Sequence, residues 1–296
     1  MGAFGERFAE IAEAFGLQVE RMATPYGQAP RPEAVAERLR AAPDVAGVLC
    51  TFNETSTGVL LPTAEIAAAV RRHAPEALLL VDAVSALGGA DLRMDAWDCD
   101  VVIAGSQKAL MIPPGLGALA VSPRALAAGA RARLPRAYWD WRPYKAMQEH
   151  GETPYTPAVS LWYELDAAVR RILAEGLPAV FARHRAMAAA ARAGFAAAGF
   201  PLLTSEADAS PTVTAALLPD GMAFPPLQEA LEQRGVQIGG GMGPLRGRML
   251  RIGHMGALRT ADLLTFFRLF DESLARLGAA GAGRALPAAE AGLRPA

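Results

Sequence analysis

The chain has 296 residues, 52% of them hydrophobic, and a formal net charge of -1, so it can bury one large core or two. The basic residues are scattered, which gives no basic face for a phosphate backbone, and nucleic-acid binding is not expected. No apolar run reaches membrane-spanning length, and residues 1–16 lack the order of a signal peptide. The sequence therefore predicts a cytoplasmic globular protein.

Cysteines and histidines give little sign of a metal or disulfide site. Cys50 and Cys99 lie beside strand-like segments without a CxxC spacing, so we interpret both as reduced, buried thiols. The four histidines are far apart in the chain and are best read as surface or satisfied core residues. No metal site is predicted.

The first part of the chain alternates between helical and strand-like patterns. Apolar positions at helical spacing predict a helix from Phe4 to Phe15, and a second over residues 63–74. Short apolar runs predict strands at 19–24, 45–52, 78–82, 100–105 and 116–122. This alternation is typical of an α/β fold with a mostly parallel sheet and helices on both faces.

The pattern changes after residue 174. Long helices are predicted at 178–199, 225–235 and 260–277, with strand-like TVTAALL and MLRIG between them. We therefore expect a large domain over residues 1–174 and a smaller α+β domain over 175–278. Residues 279–296 are mainly Gly, Ala and Pro, which predicts a disordered tail.

Polar residues follow three of the predicted strands: the FNETSTG segment, Asp82 and the SQK segment that contains Lys108. Ligands of open parallel sheets bind beyond the carboxyl ends of the strands. Taken singly, Asp82 could form a turn and Lys108 could be a solvated surface lysine. Together, a carboxylate and an amine at neighbouring strand ends suit imine catalysis, because a lysine can lose its proton and a guanidinium cannot. The cofactor that needs both groups is pyridoxal 5'-phosphate.

Four motifs resemble the class V aminotransferases: 81-VDAVSALGG-89, 105-GSQKALMIPPGLG-117, 52-FNETSTG-58 and 249-MLRIGHMG-256. Within that family the chain is most similar to the alanine/serine-glyoxylate (serine-pyruvate) branch. The likeness implies a fold type I transferase with a large three-layer domain, a smaller C-terminal domain and pyridoxal phosphate as cofactor. It also implies transamination between a small amino acid, alanine or serine, and an oxo acid such as glyoxylate or pyruvate.

The resemblance implies a role for each matching residue. Lys108 would bind the cofactor as an imine and transfer the proton during catalysis. Asp82 would pair with the ring nitrogen, and Val84 would pack on one ring face. Ser56 would form a hydrogen bond near the ring oxygen or the aldimine, and Gln107 would help to hold the phosphate.

The resemblance also implies roles for three residues that would contact the substrate or the partner subunit. Arg251 would grip the substrate carboxylate in bidentate fashion, the alternative being an internal ion pair. Thr153 and Thr156 resemble the Thr-Pro segment that reaches the partner's cofactor phosphate in a homodimer, although the same segment could be a stiff connector. The aromatic run 138–144 is interpreted as core or subunit contact, and the Gly-rich stretch 239–248 as a flexible loop.

The family usually has a further segment before the position at which this chain begins. That segment holds most of the phosphate cradle and the aromatic residue that stacks on the other ring face. We therefore expect the large domain to be truncated at its N-terminus.

Two alternative functions stay open at this point. One is a cysteine desulfurase or another lyase on the same fold, which would need a reactive cysteine. The other is a truncated, weakly active or inactive chain that serves as an interaction subunit.

Overall fold

A computed structural model of the chain describes residues 1–42 and 44–293. The helices in this part are α1 Ala3–Ala14, α2 Pro32–Ala41, α3 Thr63–His73, α4 Pro123–Ala130, α5 Trp141–Gln148, α6 Val159–Glu175, α7 Leu177–Ala197, α8 Phe224–Glu232, α9 Thr260–Arg276 and α10 Ala285–Gly292. The strands are β1 Gly47–Thr51, β2 Asn53–Glu54, β3 Val59–Leu60, β4 Leu78–Asp82, β5 Val101–Gly105, β6 Gly117–Val121, β7 Val213–Leu217, β8 Gly239–Gly240 and β9 Met249–Gly253.

The largest sheet has the order β1-β4-β5-β6. Strands β1, β4 and β5 run parallel, and β6 is antiparallel to β5. Helix α3 buries Ile66, Ala67 and Val70 in a hydrophobic core that also contains Leu79 and Val81 of β4. These apolar residues recur every three or four positions, which places them on one face of the helix. The prediction of a mostly parallel α/β fold is confirmed.

A second hydrophobic core lies among the C-terminal elements. The antiparallel sheet β7-β9-β8 packs with α7, α8 and α9 around a group of phenylalanine rings that includes Phe195, Phe267 and Phe270. The rings of Phe195 and Phe270 meet edge to face, with centroids 5.4 Å apart. Edge-to-face pairs of this kind add to the stability gained from burial.

The prediction of a strand at residues 19–24 is wrong. That segment has no regular structure, and Glu20, Arg21 and Met22 are exposed. Arg21 instead binds Glu6 and Glu13 of α1 through its guanidinium. A β-strand needs an adjacent strand to form its backbone hydrogen bonds. Residues 19–24 have no such neighbour among the described residues, so their strand propensity alone is not enough.

The prediction of a disordered tail is also wrong for the described residues 279–293. Helix α10 packs on α7 and α9, and Ala285 and Ala289 are fully buried. Asp271 of α9 accepts hydrogen bonds from the backbone N–H groups of Gly283, Ala285 and Leu286 and so fixes the start of α10. Small side chains let two helices approach closely. The Ala- and Gly-rich composition of this segment, interpreted as disorder from the sequence, is what allows α10 to pack on its neighbours. Residues 294–296 of the predicted tail lie outside the described residues.

Two further interpretations change with the structure. The Gly-rich stretch contains β8, whose Gly239 and Gly240 pair with Arg251 and Leu250 of β9, so it is partly sheet and not a free loop. Residues Tyr138 and Trp139 are exposed, which excludes a core position within this chain. None of the helices in the described part is long and apolar enough to cross a membrane.

Candidate active site

The carboxyl ends of three parallel strands meet at one edge of the large sheet. Thr51 at the end of β1 pairs with Asp82 at the end of β4, and Asp82 pairs with Ile103 near the end of β5. The ladder continues one residue further, because Phe52 N–H donates to the Asp82 carbonyl oxygen at 2.8 Å. The segments that follow these strands therefore surround a common crevice, as expected for an open parallel sheet.

Among the described residues, the Asp82 carboxylate has one hydrogen-bond partner. Its Oδ1 accepts a hydrogen bond from the Val84 N–H at 2.9 Å. Burial raises the pKa of this carboxyl group, and the nearby charge of Glu54 raises it further against the lowering effect of the Val84 bond. A cationic N–H placed against Asp82 would therefore be bound strongly.

Lys108 carries a half-buried amine in the loop after β5. Burial lowers its pKa, and the positive charge of Arg251 lowers it further. Among the described residues no carboxylate pairs with this amine. A lysine held in this way loses its proton more readily than a solvated lysine.

Arg251 lies in the middle of β9, and backbone carbonyl groups orient its guanidinium. Nε donates to the Gly240 carbonyl oxygen at 2.9 Å, and Nη1 donates to the Thr55 carbonyl oxygen at 2.8 Å. The ion pair considered from the sequence does not form with any residue that the structure describes. The remaining N–H groups at Nη1 and Nη2 are therefore available to a carboxylate.

The FNETSTG turn joins Arg251 to helix α1. Ser56 is buried, and its hydroxyl donates to Glu54 Oε1 at 2.6 Å and accepts from the Ala3 N–H at 2.8 Å. The Glu54 carboxylate also accepts from the Gly5 N–H at 2.9 Å. In this arrangement Ser56 and Glu54 satisfy the first N–H groups of α1, a use that the sequence pattern did not indicate.

Val84 and Gln107 meet above Gly105 at the end of β5. A Cβ atom added at Gly105 would lie 2.8 Å from Gln107 Oε1 and 3.1 Å from Val84 Cγ1. Glycine therefore lets these two side chains approach the strand end. Gln107 is exposed, and its amide is available for a ligand in the crevice.

Thr153 and Thr156 lie in the exposed segment before α6. The Thr153 hydroxyl donates to the Tyr155 carbonyl oxygen at 2.8 Å, within the same segment. Both residues are exposed, and among the described residues neither forms a hydrogen bond with Asp82, Lys108 or Arg251.

The clustered groups fit pyridoxal phosphate in charge and chemistry. Asp82 suits a protonated ring nitrogen, Lys108 suits an aldehyde, and Arg251 suits the carboxylate of an amino acid. Each of the three is only partly buried, and none is neutralised by an ion pair with a described residue. Such a group of partly desolvated charges at a strand edge is a candidate site for a charged ligand.

Residues 6–261 match the family described as aminotransferase class-V. An L-aspartate–glyoxylate aminotransferase of Paracoccus denitrificans is 38% identical over 94% of this chain and 71% of its own length. A protein of Synechococcus sp. named as the small subunit of a soluble hydrogenase is 39% identical over 94% of this chain and 72% of its own length. The crystal structure of pyridoxamine-pyruvate aminotransferase from Mesorhizobium loti superposes with a TM-score of 0.91 and 34% identity, covering 99% of this chain and 76% of that chain.

Proposed function

This chain belongs to the class V aminotransferases, enzymes that depend on pyridoxal 5'-phosphate, and from that premise we propose that it transfers an amino group from alanine or serine to glyoxylate or pyruvate. The observation that carries the proposal is the Lys108 amine. It is half-buried, it has no carboxylate partner among the described residues, and it lies near Arg251 at the carboxyl edge of the sheet.

The cofactor, when bound, withdraws electrons from the α-carbon of the amino acid. Lys108 supplies the amine that holds the cofactor and then moves a proton to and from that carbon. This role needs an amine that can lose its proton, and the lowered pKa of Lys108 favours that loss. An arginine at this position would stay charged.

The other site residues would bind and orient the cofactor and the substrate. Asp82 would pair with the ring nitrogen, where its carboxylate keeps that nitrogen protonated. Arg251 would bind the substrate carboxylate with the N–H groups that Gly240 and Thr55 leave unused. We assign ring packing to Val84 and a phosphate contact to Gln107. The ring-oxygen contact expected of Ser56 would require its hydroxyl to give up the bond to Glu54.

We further propose that the protein works as a homodimer with Thr153 and Thr156 directed at the partner's cofactor. Large apolar side chains that are exposed in this region support the proposal; they include Tyr138, Trp139, Trp162 and Tyr163. Exposed apolar side chains of this size are often found at protein contacts. Two free thiols, Cys50 and Cys99, are compatible with the cytoplasmic location proposed from the sequence.

A desulfurase activity is less well supported by the cysteines of this chain. Burial raises the pKa of the Cys99 thiol to about 11, and burial also raises the pKa of Cys50. A sulfur-transfer nucleophile needs a lowered thiol pKa. A hydrogenase activity, as named for the Synechococcus relative, is not proposed, because the amine, carboxylate and guanidinium of this site suit imine chemistry.

Borohydride trapping tests the proposal at the level of the residue. The purified protein is incubated with pyridoxal phosphate, reduced with sodium borohydride and digested, and the modified lysine is located by mass spectrometry. We expect modification of Lys108 together with a visible absorbance band and transfer from alanine or serine to glyoxylate. Lys108→Ala should abolish the band and the transfer.

The chain supplies its own matched control, because Lys145 is its second and last lysine and is exposed. Lys145→Ala should keep both band and activity. Modification of Lys145 in place of Lys108, or equal activity in the Lys108→Ala variant, would contradict the proposal.

A further inference from the structure

A buried histidine of α7 is attached to the turn that follows the Arg251 strand. His184 is fully buried, its Nδ1 lies 2.7 Å from the Val180 carbonyl oxygen, and its Nε2 lies 3.0 Å from the Gly256 backbone nitrogen. The carbonyl can only accept and the Gly256 N–H can only donate. The ring is therefore neutral, with its proton on Nδ1.

The neighbouring Arg183 holds the carbonyl side of the same turn. Its Nη1 donates to the carbonyl oxygens of Gly256 at 3.0 Å and Leu258 at 3.1 Å, while Nε binds Glu175 at 2.7 Å. Two consecutive residues of α7 thus fix both the N–H and the C=O of Gly256. This is more restraint than a surface turn usually has.

The Gly256 turn lies against the segment that carries Lys108. Gly256 has a φ of 74°, and a Cβ atom there would lie 3.0 Å from Met111 Cγ and 3.5 Å from the Lys108 carbonyl oxygen. Met111 itself has a φ of 66°, which is unusual for a residue with a side chain, and its N–H donates to the Lys108 carbonyl oxygen at 3.0 Å. Glycine at position 256 leaves room for the Met111 side chain, which a Cβ atom there would crowd.

We propose that His184 is a positioning residue for Lys108: by fixing the Gly256 turn, it holds the Lys108–Met111 segment so that the lysine amine stays partly buried in the crevice. His184 does not touch the crevice groups itself. Its effect passes through one backbone hydrogen bond and one glycine contact. The proposal rests on the proposed role of Lys108.

The groups around His184 favour its neutral form. Burial lowers its pKa most, the charge of Arg183 lowers it further, and the Val180 bond and Glu175 act in the opposite direction. His254 is buried as well, and its Nε2 bonds to the Thr214 hydroxyl at 2.8 Å. At neutral pH, Nε2 of His184 is therefore free of a proton and can accept the hydrogen bond from the Gly256 N–H.

The test measures the Lys108 amine directly, without cofactor. The protein is labelled by competitive acetylation over a range of pH, and the extent of labelling at Lys108 and Lys145 is read by mass spectrometry, with Lys145 as the internal reference. In His184→Phe the ring volume is kept but both bonds are lost. We expect the titration midpoint of Lys108 to rise by about half a unit or more toward the ordinary lysine value, because the released segment exposes the amine.

Matched variants separate positioning from general loosening. His184→Gln can accept from Gly256 and donate to Val180, so it should keep the Lys108 midpoint close to that of the parent. Ser273→Ala removes a buried hydroxyl that bonds to Leu269 in α9, and it should leave the midpoint unchanged. The thermal unfolding of each variant is recorded so that midpoints are compared between folded proteins.

Two outcomes would overturn the proposal: an unchanged midpoint in His184→Phe, or the same shift in His184→Gln as in His184→Phe. If His184→Phe does not fold, Arg183→Met and Gly256→Ala test the same turn from the other side, and either must raise the midpoint. Because no cofactor is present, the result does not depend on whether Lys108 binds pyridoxal phosphate. Borohydride trapping answers that question separately.

Discussion

At the scale of single residues, neighbouring side chains and backbone groups set the chemistry of the site. Arg251 shows this best, because two backbone carbonyl groups fix its guanidinium. A guanidinium held in this way loses little conformational entropy when it binds a carboxylate. The strand supplies the position, and the carbonyls of Gly240 and Thr55 supply the orientation.

Arg251→Lys should therefore damage substrate binding while keeping the positive charge. A lysine cannot form the planar fork or reach both carbonyls, so we expect kcat/KM for the amino donor to fall by about 100-fold, mainly through KM. Steady-state kinetics and the absorbance of the bound cofactor are the measurements. Arg248 is exposed, and Arg248→Lys should change neither the kinetic constants nor the cofactor absorbance. An unchanged KM in Arg251→Lys would refute the assignment of Arg251 as the residue that binds the substrate carboxylate.

At the scale of secondary-structure elements, Asp100 ties two helices to the large sheet. It is buried, and its carboxylate accepts from Arg71 of α3 at 2.6 Å, Arg124 of α4 at 2.7 Å and the Leu79 N–H of β4 at 2.7 Å. Burial alone would raise the pKa of Asp100, but these donors outweigh it and lower the pKa to about 2. The ionised form is thus the one that the fold stabilises.

Asp100→Ala should lower the free energy of unfolding by about 3 to 5 kcal/mol, because it leaves Arg71 and Arg124 without their buried partner. The folded pKa lies below the ordinary aspartate value, so this contribution is complete above about pH 4 and is lost as the pH falls toward 2. Denaturant unfolding of parent and variant at several pH values measures the difference.

An exposed aspartate gives the matched control for Asp100. Asp91 pairs with Arg93 at 2.8 Å on the surface, and Asp91→Ala should change the unfolding free energy by less than about 1 kcal/mol. A difference between parent and Asp100→Ala that grows as the pH falls would show that the sign of this linkage is wrong.

At the scale of the whole molecule, the proposed dimer can be tested through the exposed apolar surface near α6. Trp162 is 52% exposed, and burial of such a side chain against a second copy would favour association. We expect the parent to have twice the 31.0 kDa mass of one chain in light scattering. Trp162→Asp should shift the protein toward the monomer.

Leu277 is 40% exposed at the end of α9 and serves as the comparison position. Leu277→Asp should leave the dimer intact, since that residue lies outside the proposed surface. A parent that is monomeric at all concentrations, or equal dissociation in both variants, would exclude this interface.

The sequence by itself determined the class of fold and predicted the chemistry at its centre. Helical and strand periodicity predicted α3, α7, α9 and the parallel strands, because burial of one face dictates that spacing. The residue types at Lys108 and Asp82 indicated imine chemistry before any coordinates, and the likeness of the MLRIGHMG motif to the class V aminotransferases implied carboxylate binding at Arg251. Periodicity is a property of one segment, and a motif is a short run of residues, so both can be recognised in the sequence without knowledge of tertiary contacts.

Only the tertiary structure decided which groups meet. The link from His184 to the Gly256 turn spans 72 positions in the chain, and the link from Arg251 to Thr55 spans 196. The burial of α10 in a segment of low complexity also depends on the small residues of another helix. Such contacts arise from the packing of distant segments, which no periodicity along the chain encodes.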